Sequence, residues 1–142
     1  VKELIGPSQL HYRLADADFV LLAVPATGET RMLVDERFLA AMKPGAILLN
    51  VGRGETVDEA ALVKSLAQGH LGGACLDVVS QEPLSAGSPL YAAPNLWLTH
   101  HTAYRSGPGE HEARSQQVFL ENLERFVQGQ PLLNQVDPGQ GY

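Results

Sequence analysis

The chain has 142 residues, 44% of them hydrophobic and 18% charged, which suits one globular domain with a real core. Ten basic against sixteen acidic residues leave a net charge of −6, which argues against a nucleic-acid partner, since phosphate backbones are held by basic faces. The single cysteine, Cys75, excludes an internal disulfide and a Cys-based zinc site and points to an intracellular, cytoplasmic setting, with no metal expected. No apolar stretch has the length of a membrane span, so no membrane partner is expected.

In chain order, a first helix is predicted over 8–16, with Leu10 and Leu14 one turn apart. Residues 19–24 (FVLLAV) then run into Pro25, too short for an independent helix, and predict a strand buried on both faces. A helix over 35–42 places Phe38, Leu39 and Met42 on one face, with Asp35 as N-cap. Residues 46–51 (AILLNV) form a second strand of the same plan, entered through the turn at Lys43, Pro44 and Gly45. Thr56 and Glu59 have the spacing of a capping box; the helix they open buries Leu62, Val63, Leu66 and Ala67 and ends at Gly69. Strands over 71–78 and 96–99 follow. A last helix from near Pro108 to Gln128 carries the stripe Gln116, Phe119, Leu120, Leu123, Phe126 and Val127, closed by Gly129. The tail over 130–142 is read as an extended wrap or a loose end, and residues 1–129 as one domain.

Alternating short apolar runs and amphipathic segments predict an α/β fold with an open parallel sheet. Such sheets bind ligands beyond the carboxyl ends of their strands, which directs attention to four polar loops. Arg53 stands between Gly52 and Gly54, either a solvated turn residue or a guanidinium offered to a carboxylate. Asp77 ends an apolar strand, as a structural cap or an acceptor for a ligand amide. Glu82 reads as a surface charge or a partner for a base, and His100 and His101 as hydrogen bonders or a general acid. Taken together, an Arg, a Glu and a His at three successive strand ends face one crevice. A carboxylate beside an imidazole favours the protonated ring, and a nearby guanidinium binds an anion. The set suits reduction of a 2-keto acid, given a hydride donor.

The stretches 14–25 (LADADFVLLAVP), 27–31 (TGETR), 42–46 (MKPGA), 50–54 (NVGRG), 57–62 (VDEAAL), 73–78 (GACLDV) and 82–84 (EPL), with Pro94-Asn95 and 99–101 (THH), resemble the D-isomer-specific 2-hydroxyacid dehydrogenases. The likeness runs from about Gly6 to Gln130 and is nearest to the glyoxylate/hydroxypyruvate reductase branch. It implies NAD or NADP as cofactor, a small 2-keto or 2-hydroxy acid as substrate, and a homodimer for the full-length protein. It also implies roles. Arg53 matches the substrate-binding arginine, His101 the catalytic acid, Glu82 its carboxylate partner, and Asp77 the residue that holds the nicotinamide carboxamide. Val24, Pro25 and Thr30 border the adenosine and ribose side, and Val51, Gly52, Arg53, Asp77 and His101 complete the cofactor contacts.

The sequence departs from the family pattern in two places. His100 stands where the family usually has the proline before the catalytic histidine. No Gly-x-Gly-x-x-Gly follows a strand, since Gly52-Arg53-Gly54 lacks the third glycine and the helix. The resemblance therefore implies a partial Rossmann-like sheet, with the first strands, the phosphate-binding turn and a separate substrate domain upstream of Val1. The chain by itself is expected to be inactive and to self-associate through its open sheet edge. A non-catalytic, nucleotide-sensing scaffold of the same fold is the alternative reading.

Overall fold

The computed structural model describes residues 3–102, 109–136 and 139, and separates into two compact units, Val1–Thr102 and Ala103–Tyr142. The first unit contains a four-stranded, fully parallel sheet: β1 (Phe19–Leu22), β2 (Ile47–Asn50), β3 (Gly73–Leu76) and β4 (Leu96–Leu98), in the order β1-β2-β3-β4. Helices α1 (Leu10–Leu14), α2 (Glu36–Ala41) and α3 (Glu59–Ala67) lie between or before the strands as predicted, and a short 3-10 turn, Pro7–Gln9, precedes α1.

Sequential strand order with right-handed crossovers sends each connecting helix to the same side of the sheet. The core reflects this. Leu22, Leu48, Ala74 and Leu76 point to one face and pack with Phe38, Leu39, Leu62 and Leu66 from α2 and α3. The expectation that β1 is buried on both faces is corrected here. Phe19 is 67% exposed and Leu21 60%, while Leu22 is buried, because β1 is an edge strand with helices over only one of its faces. The registered row across the sheet continues through Ile47 and Leu49 to Cys75 and the exposed Trp97. Cys75 is half-buried and free.

Asp35 caps α2 as predicted, accepting from the Phe38 amide at 2.8 Å. The capping box at Thr56 and Glu59 does not form. Thr56 lies instead in a 3-10 turn, Gly54–Thr56, where its hydroxyl donates to the Arg53 carbonyl at 2.6 Å. Asp58 is the N-cap of α3 and accepts from the Ala61 amide at 3.0 Å; Glu59 reaches across to accept from the Ser80 amide at 2.6 Å. Both Thr56 and Asp58 are residue types that cap, and the extra turn after β2 shifted the helix start by two residues. Replacing Asp58 with Ala is accordingly expected to cost about 1 kcal/mol in a urea melt.

The second unit is described by itself. Helix α4 (Glu110–Val127) carries the predicted stripe, and Phe119, Leu120, Leu123, Phe126 and Val127 are exposed. The predicted start at Pro108 lies outside the described residues. After Gly129 the chain folds back on the helix. The Gln130 amide donates to the Arg125 carbonyl at 2.8 Å, and Asn122 both donates to and accepts from the Leu133 backbone at 3.1 and 2.7 Å. Among the described residues no helix is long and apolar enough to cross a membrane.

Candidate active site

The parallel sheet delivers β2, β3 and β4 side by side, so their carboxyl ends open into neighbouring loops. A buried asparagine organises the first. Asn50, fully buried at the end of β2, donates to the Arg53 carbonyl at 3.0 Å and accepts from the Gly52 amide at 3.0 Å; its side chain also reaches the Thr56 hydroxyl. Sequence reasoning gave Asn50 no role of its own and read Thr56 only as a helix cap. The available signal was a polar residue at a buried register position of an apolar strand, which must be hydrogen-bonded to be tolerated.

Gly54 brings this loop against the next. A Cβ on Gly54 would stand 1.9 Å from the Val79 carbonyl carbon and 2.1 Å from its oxygen, so the backbones after β2 and β3 are in direct contact. Arg53 is thereby held one residue from the segment that leads to Glu82. Its guanidinium donates to the Gly52 carbonyl at 2.9 Å, and the residue is exposed.

The loops after β3 and β4 carry the central pair. His101 Nδ1 lies 2.9 Å from Glu82 Oε2, and Glu82 Oε1 accepts from the Val79 amide at 3.3 Å. The His101 hydrogen bond first, and then the Val79 amide, hold the Glu82 carboxyl below the usual glutamate range. An ionised carboxylate only accepts, so Nδ1 carries the proton and Nε2 is the nitrogen left for proton exchange. For a glutamate with a lowered folded-state pKa, the pair's contribution to stability is present above the unfolded pKa. It is lost as the pH falls through the lowered value.

Glu82 and His101 line a cavity of about 310 Å³ together with Asp77, Val79, Pro83, Leu84, Tyr91, Leu98, Thr99 and His100. The two predicted partners and Asp77 therefore meet, whereas Arg53 stands outside this cavity's lining. His100, the residue in the proline's place, is on the cavity wall. Tyr91 and Leu84 were not anticipated, since the loop between β3 and β4 gave no periodic signal. Val24, Pro25, Val51 and Gly52 follow β1 and β2 on the same end of the sheet. Thr30 ties its own loop, donating to the Pro25 carbonyl at 2.6 Å and accepting from the Thr27 amide at 2.8 Å. Among the described residues no group of three His, Cys, Asp or Glu side chains is arranged for a metal.

The model of the NAD-binding domain of D-isomer specific 2-hydroxyacid dehydrogenases matches residues 2–103. The chain belongs to this family. It is 41% identical over 127 residues to a glyoxylate/hydroxypyruvate reductase B of Pectobacterium carotovorum, covering 88% of this chain and 38% of that protein. It is 43% identical over 116 residues to a glyoxylate reductase of Aeropyrum pernix, covering 82% of this chain and 34% of that one. Among solved structures, a family member from Xanthobacter autotrophicus in complex with NADPH and MES superposes with a TM-score of 0.86 at 42% identity, over 96% of this chain and 55% of that one. An NADPH-dependent glyoxylate/hydroxypyruvate reductase from Sinorhizobium meliloti, in complex with NADP and sulfate, gives 0.84 at 31% identity, over 97% and 44%. The chain thus spans well under two thirds of the length of these relatives. The four-stranded parallel sheet with flanking helices is a Rossmann-like α/β architecture, as the sequence predicted.

Proposed function

We propose that this chain is the catalytic side of the nucleotide-binding domain of an enzyme that reduces a small 2-keto acid, of the glyoxylate or hydroxypyruvate class, to the D-2-hydroxy acid with NADH or NADPH. The observation that carries the reading is the His101–Glu82 pair at 2.9 Å, set at the carboxyl ends of adjacent parallel strands. The residues fit the cofactor's nicotinamide half. A buried carboxylate, Asp77, lines the same cavity, with its amide donating to the Asn50 carbonyl at the end of β2, and offers an acceptor of the kind a carboxamide needs. When bound, the nicotinamide cofactor supplies the hydride.

The chain's own residues do the rest. His101 gives a proton from Nε2 to the substrate's carbonyl oxygen. Glu82 accepts the hydrogen bond from Nδ1–H and stabilises the imidazolium before transfer. Arg53, one residue from the contact with Val79, exchanges the Gly52 carbonyl for the substrate carboxylate, for which its planar fork is suited. Asp77 accepts from the carboxamide in addition to its contacts within the loop, a carboxylate having about four acceptor sites in all. Val24, Pro25 and Thr30 border the adenosine side. The homodimer implied by the family and the cytoplasmic location read from the single cysteine belong to this proposal too.

The test is keto-acid-dependent oxidation of NADH and NADPH by the gene product at its natural length, with nucleotide affinity measured separately by fluorescence. Turnover with glyoxylate or hydroxypyruvate is expected. Tight nucleotide binding without turnover on any small 2-keto acid would reject the enzyme and favour a nucleotide-sensing scaffold. The 142 residues alone are expected to show no turnover, because they contain no Gly-x-Gly-x-x-Gly to hold the pyrophosphate.

A further inference from the structure

Thr99 directly follows β4 and precedes the two histidines, and its hydroxyl donates to Asp77 Oδ1. The same oxygen accepts from the Thr102 amide at 2.9 Å. Between these two anchors the His101 amide donates to the Asp77 carbonyl at 2.8 Å, and the Thr99 amide continues the sheet ladder to the Leu76 carbonyl at 3.0 Å. The arc 99–102 is thus pinned to the end of β3 at three of its four residues. It contains no proline to fix its backbone.

His101 needs that pinning. Its φ is 55°, in the left-handed region that a side chain with a Cβ adopts only when its surroundings impose it. That conformation belongs to the backbone that sets Nδ1 against Glu82 Oε2. Asp77 is only 6% exposed, so its carboxylate depends on the donors around it, and Thr99 supplies one through its side chain. Loss of the hydroxyl removes a donor from the oxygen that also holds Thr102, and so slackens the arc on both sides of His101.

We infer that Thr99 is a positioning residue, acting through Asp77 to hold His101 in its left-handed conformation against Glu82. The inference rests on the reading of His101 and Glu82 as the acid pair, and its test separates the two. The readout is the pH titration of the Glu82 carboxyl carbon by NMR in the 142-residue chain, with the dispersion of amide signals reporting the fold. Asp77, Tyr91 and His100 are the other titratable groups lining the cavity, and every Thr99 variant keeps all three side chains.

In the wild-type chain Glu82 is expected to titrate below the usual glutamate range. Thr99→Val and Thr99→Ala are expected to move the midpoint upward, most of the way to its value in His101→Ala, where only the Val79 amide still lowers it. Thr99→Ser, which keeps the hydroxyl, is expected to titrate as wild type. Thr99 is exposed, so these changes leave the core untouched. Wild-type midpoints in T99V and T99A, alongside a raised one in H101A, would overturn the inference while leaving the acid pair intact. A Thr99→Ser variant that titrates like T99V would overturn it too, by assigning the effect to the methyl group. An H101A midpoint no different from wild type would instead remove the pair, and with it the proposed acid.

Discussion

Replacing His101 with Ala is expected to lower the proposed keto-acid reductase turnover by about 10²- to 10⁴-fold, while the affinity for NADH or NADPH changes by less than about threefold. The split follows from where the side chain stands. His101 lines the cavity with Glu82 and offers Nε2, and nothing else on that wall combines an ionised partner with a ring nitrogen left for proton exchange. His100 is adjacent but its backbone is one residue earlier in the arc, and Glu82 pairs with His101 rather than with it. Removing the imidazole deletes an interaction made as charge develops on the substrate oxygen, so the loss falls on kcat and on kcat/KM together. Steady-state kinetics with glyoxylate and hydroxypyruvate, beside a fluorescence titration of the nucleotide, read both quantities. Retention of wild-type turnover in H101A would remove His101 as the acid. A similar loss in His100→Ala, with H101A active, would transfer the role to His100.

Gly54→Ala is expected to destabilise the fold by about 3 kcal/mol, at the upper end of overpacking costs, and to separate Arg53 from the Glu82 loop. The added Cβ would meet the Val79 carbonyl carbon at 1.9 Å, its oxygen at 2.1 Å and the Ser80 nitrogen at 2.4 Å. All three are backbone atoms, so no side chain can swing aside to make room. A glycine elsewhere gives the contrast. Gly45 has φ 84° and open space around its missing Cβ, so Gly45→Ala costs only the left-handed backbone penalty of about 1 kcal/mol. Urea melts of the two variants, compared at equal slope, test the difference. Equal midpoints would mean that the loops after β2 and β3 are not in contact in solution. For G54A the activity loss is expected to appear as a raised KM for the keto acid, since the displaced residue is the one assigned to the substrate carboxylate.

The strands show what could be read early. Apart from Asn50 at the end of β2, the residues of β2 and β3 form apolar runs bounded by turns, a pattern a parallel sheet accommodates easily, and the alternation with helices fixed the order of elements. Asp35 was legible as a cap because its helix starts directly after it. Thr56 was misread because both it and Asp58 are good caps, whereas its hydroxyl donates within the preceding turn to the Arg53 carbonyl, to which the buried Asn50 side chain also donates. The exposure of Phe19 and Leu21 was invisible for a related reason. An apolar run does not state which of its faces a helix covers, and that depends on the handedness of the crossovers and on the strand's place in the sheet.

The sequence by itself determined the family and the parallel α/β plan and nominated Arg53, Glu82, Asp77 and His101 as candidate site residues, because each of these is written in local spacing and residue chemistry. Tertiary structure alone decided which of them meet. Glu82 and His101 are brought to 2.9 Å by adjacent strands, and Arg53 precedes the Gly54 that packs against the Val79 backbone of the Glu82 loop. Asp77 becomes the anchor of the histidine arc only because β3 and β4 are neighbours. Distances between residues far apart in the chain follow from strand order and backbone packing, which no local pattern encodes.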